Sequence, residues 1–277
     1  MPHDIGHPAR VGATRAEALP RKCPVGLANP ADTREDVMPQ WVRKRIRKLG
    51  IYVGDRVPSI LMPMCNDCNG KFGRRFENET APILGPMMDG EHRPLSTADQ
   101  EIIGRWIIKT ALLGALGQAV PGTPERERIR SFCCAMRDHG TPPHQSFVRL
   151  GAFDRGVPID AEGHSNLHQT GYLPTVHVRG ANISGHVAWE VAIGEPSELG
   201  RFITSCTDND ALALIWPPQL TEVAWPPPTR LTYRDVLTLK LAWTERRWPP
   251  SPDGLLPSPI DLPTVGLIKG PHPDDTT

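Results

Sequence analysis

The chain is organised around the stretch Met64-Cys-Asn-Asp-Cys-Asn-Gly-Lys-Phe-Gly-Arg-Arg-Phe-Glu77. Cys65 and Cys68 are separated by two residues, a spacing that lets both thiolates reach one metal ion. Asn69 and the polar residues after it fall where a helix would begin. The stretch therefore predicts half of a zinc site with a second polar site beside it, and the other half of the zinc site must come from elsewhere in the chain.

Length and composition predict a sizeable core with long loops. The chain has 277 residues, of which 39% are hydrophobic. Its 31 prolines and 25 glycines are concentrated at the two ends and in connectors, which favours a loop-rich α+β protein over a helical bundle. Lysine plus arginine equals aspartate plus glutamate at 31 each, so only a local basic patch could attract nucleic acid.

The sequence carries no signal for export or membrane insertion. Its first twenty residues lack the apolar segment of a signal peptide, and no run approaches the roughly 18 apolar residues that a membrane span needs. We therefore expect a cytoplasmic protein without a membrane partner, whose cysteines stay reduced. They are Cys23, Cys65, Cys68, Cys133, Cys134 and Cys206.

Hydrophobic periodicity divides the chain into five parts. Residues 1–21 show no pattern and predict a disordered leader, and residues 249–277 form a proline-rich tail. Residues 22–94 hold the cysteine pair and a short basic helix. Residues 95–140 predict a helical segment, and residues 145–248 predict an antiparallel β-sheet domain closed by a C-terminal helix.

The helical segment has the clearest local signals. The apolar run Ile102–Leu116 predicts a central buried helix, and Ser96 with Asp99 before it has the spacing of a capping box. The prolines and glycines of Pro82–Pro94 predict a connector that leads to this helix.

Two groups of basic residues are candidates for contact with nucleic-acid phosphates. One lies on the short helix predicted from Trp41 onwards, and the other follows the cysteine pair. Such groups are also common on solvated helix faces, and the sequence leaves both interpretations open. The candidates are Arg43, Lys44, Arg45, Arg47, Lys48, Lys71, Arg74 and Arg75.

Several short motifs together resemble one known family. They are Glu35-Asp36-Val37-Met38-Pro39-Gln40-Trp41, Cys65-x-x-Cys68-Asn69, Phe76-Glu77, the segment 99–113 with Trp106 and Lys109-Thr110, and Trp216-Pro217-Pro218. The set is similar to the HNH endonuclease family, in a bacterial and phage branch with Cys-x-x-Cys zinc motifs. The resemblance implies a ββα-metal fold in which a hairpin and a helix hold a divalent ion such as Mg²⁺ for phosphodiester hydrolysis.

The resemblance also implies a role for each site residue. Glu35 takes the position of an acidic metal ligand, Asp36 that of the general-base histidine, and Asn69 that of the last ligand. Glu77 matches an acidic position that the branch often has. Asp36 departs from the pattern, because a carboxylate with an ordinary pKa of about 3.9 is a poorer base near neutral pH than imidazole. It could instead bind the ion, and the middle asparagine of the motif has no counterpart before Cys65.

The zinc motif implied by the resemblance is incomplete as well. Gly26 stands where a cysteine should follow Cys23, which leaves Cys23, Cys65 and Cys68 as three ligands for Zn²⁺. A histidine or water could supply the fourth ligand, or hydrophobic packing could have replaced the zinc.

Two hypotheses about function follow. In the first, Glu35, Asp36 and Asn69 hold a divalent ion that cuts DNA. In the second, the chain is a non-catalytic descendant of such an enzyme and binds nucleic acid, or binds a protein partner through the sheet domain. The retained Asn69 and Glu35 and the basic patch favour the first, whereas loss of the histidine, the middle asparagine and one cysteine favours the second.

Overall fold

A computed structural model describes residues 22–49, 61–153, 169–171, 176–194 and 211–231. In these ranges the chain is α+β, with helices and two antiparallel sheets. The predicted leader, the predicted closing helix and the predicted proline-rich tail lie outside the described residues. None of the described helices is long and apolar enough to cross a membrane.

The N-terminal part contains a strand pair followed directly by a helix. Strands β1 (Thr33–Asp36) and β2 (Leu61–Met64) pair antiparallel, and Glu35 lies opposite Met62. Helix α2 (Asn66–Phe72) begins two residues after β2, so the cysteine pair lies at the junction of strand and helix. Between the strands in sequence, helix α1 (Gln40–Lys48) buries Val42 and Ile46.

The helical stretch after the cysteine pair is longer than the sequence predicts. A π-helical turn (Gly73–Glu77) follows α2 and leads into helix α3 (Asn78–Met88), which includes Pro82 and Pro86. The predicted connector is therefore wrong over residues 82–88. Each proline removes one backbone donor, but tertiary burial of Ile83, Leu84, Met87 and Met88 stabilises the helix despite this loss.

Helices α4 (Thr97–Gln118) and α5 (Pro124–His139) lie within residues 95–140, for which the sequence predicts helices. The capping box is present, because Ser96 Oγ accepts from the Asp99 backbone and the Asp99 carboxylate accepts from the Ser96 backbone, both at 3.1 Å. Most of α4 is buried, as its apolar sequence predicts. Helix α5 ends at Gly140, whose φ of +68° is the left-handed cap that glycine favours.

The second sheet has the strand order β4-β5-β6-β3-β7, and every neighbouring pair is antiparallel. Its strands are β3 (Ser146–Ala152), β4 (Gln169–Gly171), β5 (Val176–Ser184), β6 (Val187–Gly194) and β7 (Ala213–Trp216). Every residue of β6 is buried, so this strand is covered on both faces.

One hydrophobic core joins the hairpin, the helices and the sheet. The turn between β5 and β6 contacts the end of α3, where the His186 backbone donates to Met88 O at 3.0 Å. Leu95, just before α4, exchanges two backbone hydrogen bonds with Val223, at 2.8 and 3.0 Å. The sheet is therefore attached to the elements that carry the candidate site.

Candidate functional site

A buried lysine bridges two of the acidic residues that the resemblance assigns to a catalytic ion. Lys109, on α4, is 0% exposed, and its Nζ lies 2.5 Å from Glu77 Oε1 and 3.3 Å from Glu35 Oε1. Glu35 lies on β1, and Glu77 ends the π-helical turn. One ammonium group therefore links the hairpin, the helix after the cysteine pair and the central helix.

Two tryptophans complete the contacts of Glu77. Trp41 Nε1 donates to Glu77 Oε2 at 2.8 Å, and Trp106 Nε1 donates to Glu77 Oε1 at 3.1 Å. The two indole rings lie 5.7 Å apart. Both carboxylate oxygens of Glu77 thus accept from protein donors, which leaves this side chain little capacity to bind an ion.

The charges in this network follow from burial and pairing. Burial raises the pKa of Glu35, and the neighbouring Glu77 carboxylate adds to the rise, whereas Lys109 opposes it. Burial disfavours the ammonium form of Lys109, but the carboxylates of Glu77 and Glu35 stabilise that form more than burial destabilises it. The pKa of Lys109 is therefore raised. Lys109 is therefore a cation at neutral pH, positioned between two acidic side chains.

Asp36 pairs with a different cation. Its Oδ2 accepts from Arg43 Nη2, and Arg43 Nε also donates to Met38 O at 3.2 Å. Asp36 Oδ1 is buried and accepts no hydrogen bond within the described ranges. Burial raises the pKa of Asp36, against the opposing effect of Arg43. The side chain at the general-base position thus has one oxygen engaged and one without a partner.

Asn69, near the start of α2, forms hydrogen bonds to β1. Its Nδ2 donates to Thr33 Oγ1 at 3.2 Å and to Arg34 O at 3.3 Å. Thr33 Oγ1 in turn donates to Met64 O on β2 at 2.8 Å. The structure therefore places Asn69 beside the strand that carries Glu35 and Asp36, with its amide nitrogen bound to the protein.

The three cysteines implied as zinc ligands come together. The sulfurs of Cys23, Cys65 and Cys68 lie within 4.8 Å of one another, and all three residues are buried. Among the described His, Cys, Asp and Glu residues, no other set of three ligand atoms is this close. The cysteine cluster could thus hold a metal such as zinc, whereas Glu35, Asp36 and Glu77 do not form such a group.

The polypeptide around the cysteine cluster also donates to its sulfurs. The Gly26 N–H donates to Cys23 Sγ at 3.2 Å, and Asn29 Nδ2 donates to Cys65 Sγ at 3.8 Å. A hydrogen bond with Cys68 lowers the pKa of Cys23 to about 5, and the same bond together with burial raises the pKa of Cys68. An ion that binds these sulfurs must displace the protons that the thiols carry.

The predicted phosphate-binding residues divide into two groups. The first group is engaged within the protein: Arg43 with Asp36, Arg45 with Asp89, Lys71 with Asp67, and Arg75 with the backbone oxygens of Met136 and Arg137. The second group is exposed and comprises Lys44, Arg47, Lys48 and Arg74. None of these four residues forms an ion pair with any described residue.

Sequence reasoning missed the roles of Lys109 and Arg137. A signal for Lys109 was present, because it is the only charged residue in the stretch Trp106–Leu116, and a lysine buried there needs acidic partners. Arg137 gave no signal, since it is one of several charged residues on the mixed surface of α5.

The chain was compared with protein-family models, with curated proteins and with solved structures, and none of them matches it. The resemblance to the HNH family stays a prediction, and function must be inferred from the chain's own residues and contacts.

Proposed function

We propose that this protein is an HNH-like ββα module that binds nucleic-acid phosphates without hydrolysing them. The observation that carries the proposal is the pairing of the acidic site residues with protein cations. Lys109 lies between Glu35 and Glu77, and Arg43 binds Asp36. The positions that would hold a divalent ion are thereby already neutralised.

A divalent ion would have to compete with Lys109 at high cost. Because Lys109 is fully buried, moving its ammonium group away from both carboxylates would leave it without a counter-ion in a poorly solvated site. If Lys109 stayed, its charge would repel the ion. Glu77 also binds two indole N–H groups. Hydrolysis assisted by Mg²⁺ therefore has few ligands left on this chain.

The binding surface is the outer face of α1. Lys44, Arg47 and Lys48 are exposed and follow the three- and four-residue spacing that places them on one side of the helix. Because the net charge of the whole chain is zero, this local group must supply most of the attraction to phosphates.

Neutralising this face should weaken DNA binding. Lys44→Gln, Arg47→Gln and Lys48→Gln together should lower affinity for a short duplex about equally for different sequences, and reduce the slope of log affinity against log salt by up to about 3. Fluorescence anisotropy at several salt concentrations measures both quantities. The matched control replaces Lys22, Arg128 and Arg130 by glutamine. These residues lie outside α1, and the control changes the net charge by the same amount as the α1 variant. Equal losses in the two triple variants would overturn the α1 assignment.

The second candidate function is the metal-dependent nuclease, and one observation favours it. Asp36 Oδ1 is buried without a hydrogen-bond partner among the described residues, so one carboxylate oxygen is left to bind an ion or accept a proton. The test incubates supercoiled plasmid with the full chain and Mg²⁺ or Mn²⁺. We expect no nicking above that of the Asp36→Asn variant. Nicking that both a chelator and Asp36→Asn abolish would establish the nuclease and contradict the non-catalytic proposal.

A further inference from the structure

Helix α5 presents a cation to the cysteine cluster. Arg137 Nη1 donates to Cys68 Sγ at 3.4 Å. Asp138 holds the same guanidinium group through two hydrogen bonds, from Nε at 2.7 Å and from Nη2 at 2.6 Å. The Arg137 side chain is only 16% exposed. The guanidinium group is therefore oriented toward the sulfur by contacts that do not depend on a metal ion.

Gly26 lies beside the contact between Arg137 and Cys68. A Cβ added at Gly26 would lie 3.0 Å from Cys68 Sγ, 3.6 Å from Cys65 Sγ and 3.4 Å from Arg137 Nη1. A side chain at this position would therefore point at the sulfurs, where the sequence pattern expects the missing cysteine. The Arg137 guanidinium group lies at the edge of that space.

Two further contacts fix α5 at the cluster. Cys134 Sγ donates to Val25 O at 3.5 Å, next to Gly26 in the chain. Arg75 Nη1 donates to Arg137 O at 2.9 Å, which ties the end of α5 to the helical stretch that carries Cys65 and Cys68. Arg137 is thus held against the cluster by the backbone as well as by its own side chain.

Charge balance gives this contact a role in metal binding. A divalent ion with three thiolates carries a net charge of minus one, and an uncompensated buried charge is costly. The guanidinium group of Arg137 lies against this negative charge at Cys68 Sγ, whereas the Asp138 carboxylate that also pairs with it is 37% exposed, so that water screens its charge. We propose that the cysteine cluster is a three-thiolate site for a thiophilic divalent ion such as Zn²⁺, in which Arg137 replaces the fourth cysteine as a positioning residue that holds the Cys68 thiolate.

Zinc affinity tests the proposal without any assay of activity. The reduced full chain is freed of metal with a chelator and reloaded, zinc per chain is measured, and affinity is obtained by competition with a chromophoric chelator. We expect one zinc per chain, and an affinity about 10–100-fold weaker in Arg137→Gln. Arg130→Gln, two turns earlier on α5, is the matched control and should leave affinity unchanged. Less than stoichiometric zinc in the unmodified chain, or equal affinities in the two variants, would overturn the proposal.

Gly26→Cys separates the position of Arg137 from its charge. The new thiolate should tighten zinc binding, whereas Gly26→Ala, which adds the Cβ alone, should not. Because the new side chain takes the space beside Cys68 Sγ, Arg137→Gln should lower zinc affinity less in the Gly26→Cys background than in the unmodified chain. An equal loss in both backgrounds would show that Arg137 does not act at the fourth position. Arg137→Lys, which keeps the positive charge, should have a zinc affinity between those of the unmodified chain and Arg137→Gln. A zinc affinity no higher than that of Arg137→Gln would show that the charge of Arg137 does not contribute to zinc binding.

Discussion

Lys109→Met should lower the free energy of unfolding by about 3–5 kcal/mol, the usual loss when one member of a buried ionic group is removed. Methionine keeps the length and flexibility of the lysine side chain, so the loss reports the missing ammonium group rather than a cavity. Without it, Glu35 and Glu77 face each other in a buried site with no cation between them. Urea denaturation at neutral pH measures the change.

The matched control applies the same substitution to an exposed ion pair. Lys71 pairs with Asp67 one helical turn away, and their side chains are 42% and 53% exposed. Lys71→Met should therefore cost only about 0.5 kcal/mol or less. Adding Glu35→Gln to Lys109→Met should recover part of the loss, because one of the two unpaired charges is removed. Similar losses in Lys109→Met and Lys71→Met would contradict the bridging role of Lys109.

The stability loss expected in Lys109→Met depends on pH in a defined direction. The folded protein raises the pKa of Lys109, so its contribution is fully present below the unfolded pKa of about 10.4 and is lost as pH rises through the folded value. The folded protein also raises the pKa of Glu35, so protonation of Glu35 favours folding at acid pH. Removing Lys109 should raise this pKa further. We therefore expect the stability gap between Lys109→Met and the unmodified chain to narrow as pH falls from 7 toward 4.5.

The parts of the fold that local chemistry dictates could be predicted from the sequence. Ser96 and Asp99 form their capping box because both partners lie within one helical turn. The α+β class and the antiparallel sheet followed from changes in hydrophobic period. The connector predicted over Pro82–Pro94 was wrong where tertiary burial overrode proline, because a helix inside a core gains more from packing than two missing donors remove.

The candidate site could be predicted only in part, because its decisive contacts join distant residues. Lys109 and Glu35 are 74 residues apart in sequence, and Arg137 and Cys68 are 69 apart. No periodicity or spacing reports such pairs. The spacing of Cys65 and Cys68 predicts a shared metal ion, and only the resemblance to the HNH family adds Cys23 to them. The cations that meet the acidic residues and the sulfurs belong to no such pattern.

One contact between the sheet and these helices depends on a glycine. Gly185, in the turn between β5 and β6, has a φ of +66°, and a Cβ there would lie 2.3 Å from Met88 O at the end of α3. The obstacle is backbone, which cannot rotate out of the way as a flexible side chain could. The same turn donates the hydrogen bond from the His186 backbone to Met88 O. A side chain at this position must therefore push the hairpin away from α3.

Gly185→Ala should accordingly cost about 2–4 kcal/mol, from the left-handed backbone of a non-glycine residue and from the lost hydrogen bond and packing. Gly122→Ala provides the control, because Gly122 has a similar φ of +82° but no atom within 4 Å of an added Cβ. It should cost only the backbone term, about 1–2 kcal/mol. The difference between the two losses in urea denaturation therefore isolates the contact between turn and helix. If the two variants lose the same stability, the turn does not fasten the sheet to α3, and the sheet must be held to the site-bearing helices through Leu95 and the faces of α4 alone.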